Sequence, residues 1–125
     1  MPRMRTSPCI ALAAIAVAVL LPPTARAAEL ILVERAGCPV CVRWNREIAP
    51  IYPKTPEGVR APLHRVDIAE ADRLGLAEPV RFTPTFVIVD DGQEVGRITG
   101  YSNDDMFWGL LGRLVERLDR SGPPR

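Results

Sequence analysis

Cys38 and Cys41 are two thiols held two residues apart, with Pro39 and Val40 between them. A pair at this spacing suits three kinds of chemistry: half of a metal site, a covalent cross-link, or a dithiol that cycles between reduced and disulfide forms. Zinc asks for about four ligands, and after Cys9 the chain offers these two cysteines and one histidine, His64. A structural disulfide stabilises by closing a long loop, and a two-residue gap closes almost none. Haem attachment would place a histidine directly after the second cysteine, where Val42 stands. Redox chemistry is the reading that survives.

A thiolate attacks a disulfide sulfur, so one cysteine of the pair must ionise near neutral pH. A free thiol has a pKa of about 8.5, and the N-terminus of a helix lowers it, because unpaired N–H groups and the positive end of the helix dipole face the sulfur. Cys38 precedes Pro39, a residue suited to the first helical position, where its missing N–H costs nothing. Cys38 is therefore the expected attacking sulfur. Cys41, one turn further in, is the expected resolving sulfur that releases the partner. Arg35 and Arg43 are near in sequence and add positive charge. Glu34 is the nearest acid before the pair. It is a candidate proton acceptor for Cys41, although a carboxylate at a strand end is more often simply on the surface. His64 reads as structural or solvated, and Trp44, Phe107 and Trp108 as core.

Around these residues the chain alternates strand and helix patterns. Glu29 to Glu34 holds the continuous apolar run Leu30-Ile31-Leu32-Val33, as in a strand buried on both faces. From Cys38 a helix follows, with Cys41, Trp44 and Ile48 on one face and Arg43, Arg46 and Glu47 directed away. Pro50 ends it. The stretch from Ile51 to Pro62 is rich in proline and reads as an irregular connection with room for a short helical turn. Leu63 to Ile68 alternates as an edge strand, and Glu70 to Leu76 has the composition of a short helix. Phe86-Val87-Ile88-Val89 is the strongest strand signal, opened by Thr83-Pro84-Thr85 and turned by Asp90-Asp91-Gly92 into a hairpin with Glu94 to Thr99. Ser102 and Asp105 resemble a capping box. The stripe Met106, Phe107, Leu110, Leu111, Leu114, Leu118 makes Asn103 to Arg120 the closing helix. A parallel pair joined by a helix, then an antiparallel hairpin and a last helix, gives an α/β domain with a four-stranded mixed sheet flanked by helices.

The N-terminus speaks to compartment. Arg3 and Arg5 are followed by the apolar run Cys9 to Leu21, by Pro22-Pro23, and by the small residues of Ala25-Arg26-Ala27. Basic start, short apolar run and A-x-A site describe a secretory signal peptide. The run is shorter than the roughly 20 apolar residues of a membrane span. Residues 1–27 are expected to be removed, leaving 28–125 as one small exported domain of the 125-residue chain. The 16 basic residues then lose Arg3, Arg5 and Arg26, and the remaining 13 face 15 acids, a formal charge near −2. That excludes a basic footprint for nucleic acid and a polybasic membrane anchor. Cys9 leaves with the signal, so Cys38 and Cys41 are the only thiols that stay.

With Cys38-Pro39-Val40-Cys41 after one hydrophobic strand, Thr83-Pro84-Thr85 before another, Gly92 in the hairpin turn, Gly100 after the last strand and an amphipathic helix at the end, the chain resembles the thioredoxin family over nearly its whole mature length. The resemblance implies a minimal, glutaredoxin-sized thioredoxin fold, thiol–disulfide oxidoreductase activity through Cys38 and Cys41, and no cofactor. It also implies a cis peptide before Pro84, with the backbone of Thr83 pairing with bound substrate. Arg43-Trp44-Asn45 and Ile48 to Gly58 are similar to the small periplasmic thioredoxins of bacterial sulfur-oxidation (Sox) systems. That implies protein disulfides of exported partners as substrates, such as the sulfur carrier of that pathway, and a membrane electron donor. Two residues depart from the family pattern. Gly37 stands where thioredoxins usually carry a tryptophan, and Leu32 where many carry a buried acid, which leaves the proton acceptor of Cys41 open. A redox-responsive binding or regulatory protein that uses the same pair as a sensor, and a periplasmic dithiol oxidant, are the alternative readings.

Overall fold

The computed structural model describes residues 2–4, 17–20 and 27–121. The expected signal peptide falls mostly outside these residues. Among the described residues no helix is long and apolar enough to cross a membrane.

Strands β1 (Glu29–Glu34), β2 (Leu63–Asp67), β3 (Thr85–Asp90) and β4 (Gln93–Thr99) form one sheet in the order β2-β1-β3-β4. β1 lies inside it, parallel to β2 and antiparallel to β3, which explains why its central residues are apolar without alternation. A parallel pair needs a crossover. Here it is built from α1 (Pro39–Glu47), a 3₁₀ turn at Tyr52–Lys54 and α2 (Pro56–Arg60). β3 and β4 close around Asp91 and Gly92, both at positive φ (51° and 75°), the backbone that a two-residue hairpin turn requires.

The two faces of the sheet are covered differently. Leu30, Leu32, Phe86 and Ile88 pack under α1 and α3 (Asp104–Ser121), against Trp44, Ile48, Tyr52, Phe107 and the leucines of α3. The Trp44 ring sits 5.0 Å from Phe86 and 5.6 Å from Phe107, so the helix carrying the cysteines is anchored by aromatic contacts. Trp108 stacks on Tyr52 at 6.2 Å, at the edge of the same cluster. The other face holds Ile31, Val33, Val87 and Val89 beneath Ala71 and Val80.

Two local expectations need correcting. The segment after β2 is a 3₁₀ helix, Ile68–Leu74, rather than a helix over Glu70 to Leu76. The Asp67 carboxylate accepts from the Ala69 N–H at 2.9 Å and turns the chain directly off the strand, and Gly75 at φ 63° ends the segment. At the start of α3 the cap is Asn103, whose side-chain oxygen accepts from the Met106 N–H at 2.9 Å. The Ser102 carbonyl is taken instead by Arg43.

Candidate active site

Cys38 is the N-cap of α1, with extended backbone (φ −81°, ψ 110°), and Pro39 is the first helical residue. Its sulfur accepts a hydrogen bond from the Cys41 N–H at 3.2 Å, one of the N–H groups that a helix start leaves without a backbone partner. The loop that delivers it passes through Gly37 at φ 77°. A tryptophan there would hold a side chain in a backbone region that L-residues rarely adopt, so the glycine follows from the turn. Cys38 and Cys41 form a disulfide with their Cα atoms 5.2 Å apart. Cys38 is 7% exposed and Cys41 3%.

β3 brings the second element to the sulfurs. Val33 at the end of β1 pairs with Thr85, so the residues just before β3 arrive beside the loop that leaves β1. The Thr83–Pro84 peptide is cis. The Thr83 carbonyl oxygen lies 3.6 Å from the Cys38 sulfur. The loop is held on both sides: the Thr85 hydroxyl donates to the Phe82 carbonyl at 2.7 Å, and the Gly100 N–H donates to the Pro84 carbonyl at 2.8 Å. Cys38, Cys41, Thr83 and Pro84 are thus brought together. The apolar side chains of Val40, Val42 and Phe82 stand exposed around them, Phe82 at 66%.

Arg43 is placed otherwise than its helix position suggests. It is half-buried, and its guanidinium donates to the carbonyls of Tyr101 (2.9 Å) and Ser102 (2.5 Å) while lying 4.9 Å over the Tyr101 ring. Its charge is committed to the loop between β4 and α3. The Tyr101 hydroxyl donates to Glu47 at 2.6 Å, and burial, followed by that carboxylate, pushes the phenol up to about 12.

Behind Cys41 the arrangement is polar. The Asn45 amide nitrogen donates to the Cys41 carbonyl at 2.8 Å and to Glu34 at 3.0 Å. Arg65 donates to both Glu34 oxygens, at 3.1 and 3.2 Å. A cavity of about 390 Å3 opens there, lined among others by Glu34, Gly37, Cys41, Asn45, Arg65 and Asp67. Glu34 is therefore held by two partners, its side chain 26% exposed, instead of standing on open surface. Helical spacing could have flagged Asn45, four residues after Cys41. Arg65 needed the pairing of β1 with β2. His64 is 3.3 Å from Glu29 on the edge strand, at the end of the sheet remote from the cysteines.

A family model described as a thioredoxin-like domain matches residues 24–114. Among solved structures, the periplasmic thioredoxin SoxS from Paracoccus pantotrophus, in its reduced form, is 44% identical. That alignment covers 73% of this chain and 98% of the SoxS chain, with a TM-score of 0.69. Trxlp from Edwardsiella tarda is 25% identical over 68% of this chain and 82% of its own, with a TM-score of 0.52. The thioredoxin of Fasciola hepatica shares the fold at 22% identity over 70% and 80%, with a TM-score of 0.55. No curated protein sequence matches the chain significantly.

Proposed function

The chain belongs to the thioredoxin-like family and is a thiol–disulfide oxidoreductase, and from that premise we propose that it works in the periplasm as a reductant of disulfides on exported partner proteins. Residues 1–27 serve as the export signal and 28–125 as the working domain. The observation that carries the reading is the Cys38 sulfur, which caps α1, accepts the Cys41 N–H and faces the Thr83 carbonyl. In the reduced protein the same N–H and the helix dipole stabilise a thiolate on Cys38. That thiolate attacks one sulfur of a partner disulfide. A mixed disulfide forms at Cys38, and the second partner sulfur leaves as a thiol. Cys41 then attacks Cys38, closing the internal disulfide and releasing the partner fully reduced. The backbone of Thr83 and the adjoining Pro84 receive the extended partner segment beside the sulfur. The likeness to a periplasmic SoxS supports both the compartment and a partner in sulfur oxidation, such as a sulfur carrier, with electrons resupplied by a membrane donor.

The test is a Cys41→Ser variant expressed with its native leader. Periplasmic extracts should contain disulfide-linked adducts of this variant that vanish with a reducing agent and with Cys38→Ser. A reduction potential near that of thioredoxin, about −270 mV, is expected, whereas one near −120 mV makes the protein an oxidant. Absence of any adduct, together with redox-dependent binding and no turnover, would make it a sensor.

A further inference from the structure

Resolving a mixed disulfide requires Cys41 to lose its proton, and Cys41 is buried in the first turn of α1, behind the capping sulfur of Cys38. Leu32 is an apolar residue on β1 facing α1. Glu34 is two residues further along that strand. Side chains alternate along a strand, so Glu34 points to the same face as Leu32, one step closer to the cysteines. The strand that pairs beside it agrees: Arg65 is the register partner of Leu32 and reaches along the same face to both Glu34 oxygens. On the α1 side, the Asn45 amide ties Glu34 to the Cys41 carbonyl. Glu34 and Cys41 line one cavity of about 390 Å3, wide enough to hold water between them.

We propose that Glu34 is the proton acceptor of Cys41, held by Arg65 and Asn45 and reached through solvent in that cavity. The proposal rests on Cys41 being the resolving sulfur. In the step, the Cys41 S–H proton passes to the Glu34 carboxylate. The Cys41 thiolate attacks Cys38, the Cys38–partner S–S bond breaks and the Cys38–Cys41 S–S bond forms. The partner sulfur leaves with the bonding pair and takes up the proton that Glu34 returns. In the opposite direction neutral Glu34 protonates the departing Cys41 sulfur. The charged groups around this carboxylate are Arg65 and Asp67 from β2 and Arg35 from the loop after β1, while α1 contributes the neutral Asn45 and the thiol itself. The Asp67 carboxylate turns to the Ala69 N–H at the end of β2, whereas Glu34 is tied through Asn45 to the Cys41 carbonyl.

The test mixes reduced protein with excess DTNB in a stopped-flow instrument. The first phase is attack by Cys38, releasing one chromophore, and the second is attack by Cys41, releasing the other. Glu34→Gln should slow the second phase by about tenfold or more at neutral pH and abolish its acid limb, leaving the first phase nearly unchanged. Arg65→Gln breaks the same ion pair but keeps the carboxylate. It should hold the plateau of the second phase, since the base is still present. An acid limb that persists in Glu34→Gln overturns the proposal, as does a plateau lowered equally in Arg65→Gln, which marks a structural role. Release of only one chromophore per molecule of the parent protein would instead overturn the assignment of Cys38 and Cys41.

Discussion

Around Cys38 the helix N-terminus and the Cys41 N–H at 3.2 Å donate to the sulfur, the Thr83 carbonyl faces it, and exposed Val40 and Phe82 stand beside it. Around Cys41 the molecule is polar and accepts: a buried sulfur, with the Glu34 carboxylate held by Arg65 and Asn45 beside a cavity of about 390 Å3. Three residues and one turn of helix separate the two environments. The difference teaches that one helix can serve both halves of an exchange reaction. Its capping position offers a stabilised thiolate to an incoming partner, and its first turn carries the second sulfur inward to where a base can hold its proton.

The floor beneath Cys41 is part of the hydrophobic core, and breaking it gives the largest expected effect. Trp44 is one turn on from Cys41, fully buried, and packed between Phe86 and Phe107. Trp44→Ala should lower stability by about 3–5 kcal/mol, a large share of the roughly 5–15 kcal/mol available to a domain of this kind. Urea unfolding followed by circular dichroism measures it. A loss below about 1 kcal/mol, the size typical of any substitution, would separate the floor of the site from the core and break the comparison.

The rim around Cys38 was the more legible half in the sequence, for a physical reason. Cys38, Pro39 and Cys41 act through local geometry, a strand end and a helix start, which spacing alone encodes. Thr83-Pro84 could be tied to them only through a resemblance, since nothing local says that β3 begins beside the end of β1. The order and extent of the strands followed from apolar runs and turn residues. The floor was harder to read. Glu34 passes for a surface acid until β2 is laid beside β1 and Arg65 comes within 3.1 Å. Arg43 passes for an exposed helix residue until the loop at Tyr101 and Ser102 folds under it. Contacts across 31 and 58 residues of chain leave no periodicity to find.

A middling effect is expected at the rim itself. Phe82 adjoins Thr83, is 66% exposed, and is not needed to fill the core. Burying a phenylalanine against a partner is worth about 1.5–3 kcal/mol. Phe82→Ser should therefore reduce kcat/KM for a protein disulfide by about tenfold, the equivalent of about 1.4 kcal/mol. The rate of the first DTNB phase and the stability should change little. If DTNB and protein substrates slow together, the residue shapes the loop rather than the contact, and the rim loses its apolar anchor.

The smallest effect concerns what joins the two regions. Arg43 and Tyr101 fasten the outward side of α1 to the loop after β4, and the Tyr101 hydroxyl is bonded to Glu47. Burial raises Tyr101 from 10.0 to about 12, and burial raises Tyr52 further still. Each phenol is then protonated in the folded state at a pH where the unfolded chain has released the proton. The unfolded state binds fewer protons there, so stability falls as pH rises above 10.0 and goes on falling through about 12. For the oxidised protein, whose cysteines do not titrate, Tm should hold up to about that lower limit and then drop by a few degrees. Tyr101→Phe should start from a slightly lower Tm, having lost one hydrogen bond worth about 1 kcal/mol, and should fall less steeply. A Tm that declines identically in both proteins would mean that Tyr101 is not the group released. The tie between rim and floor would then rest on Arg43 alone.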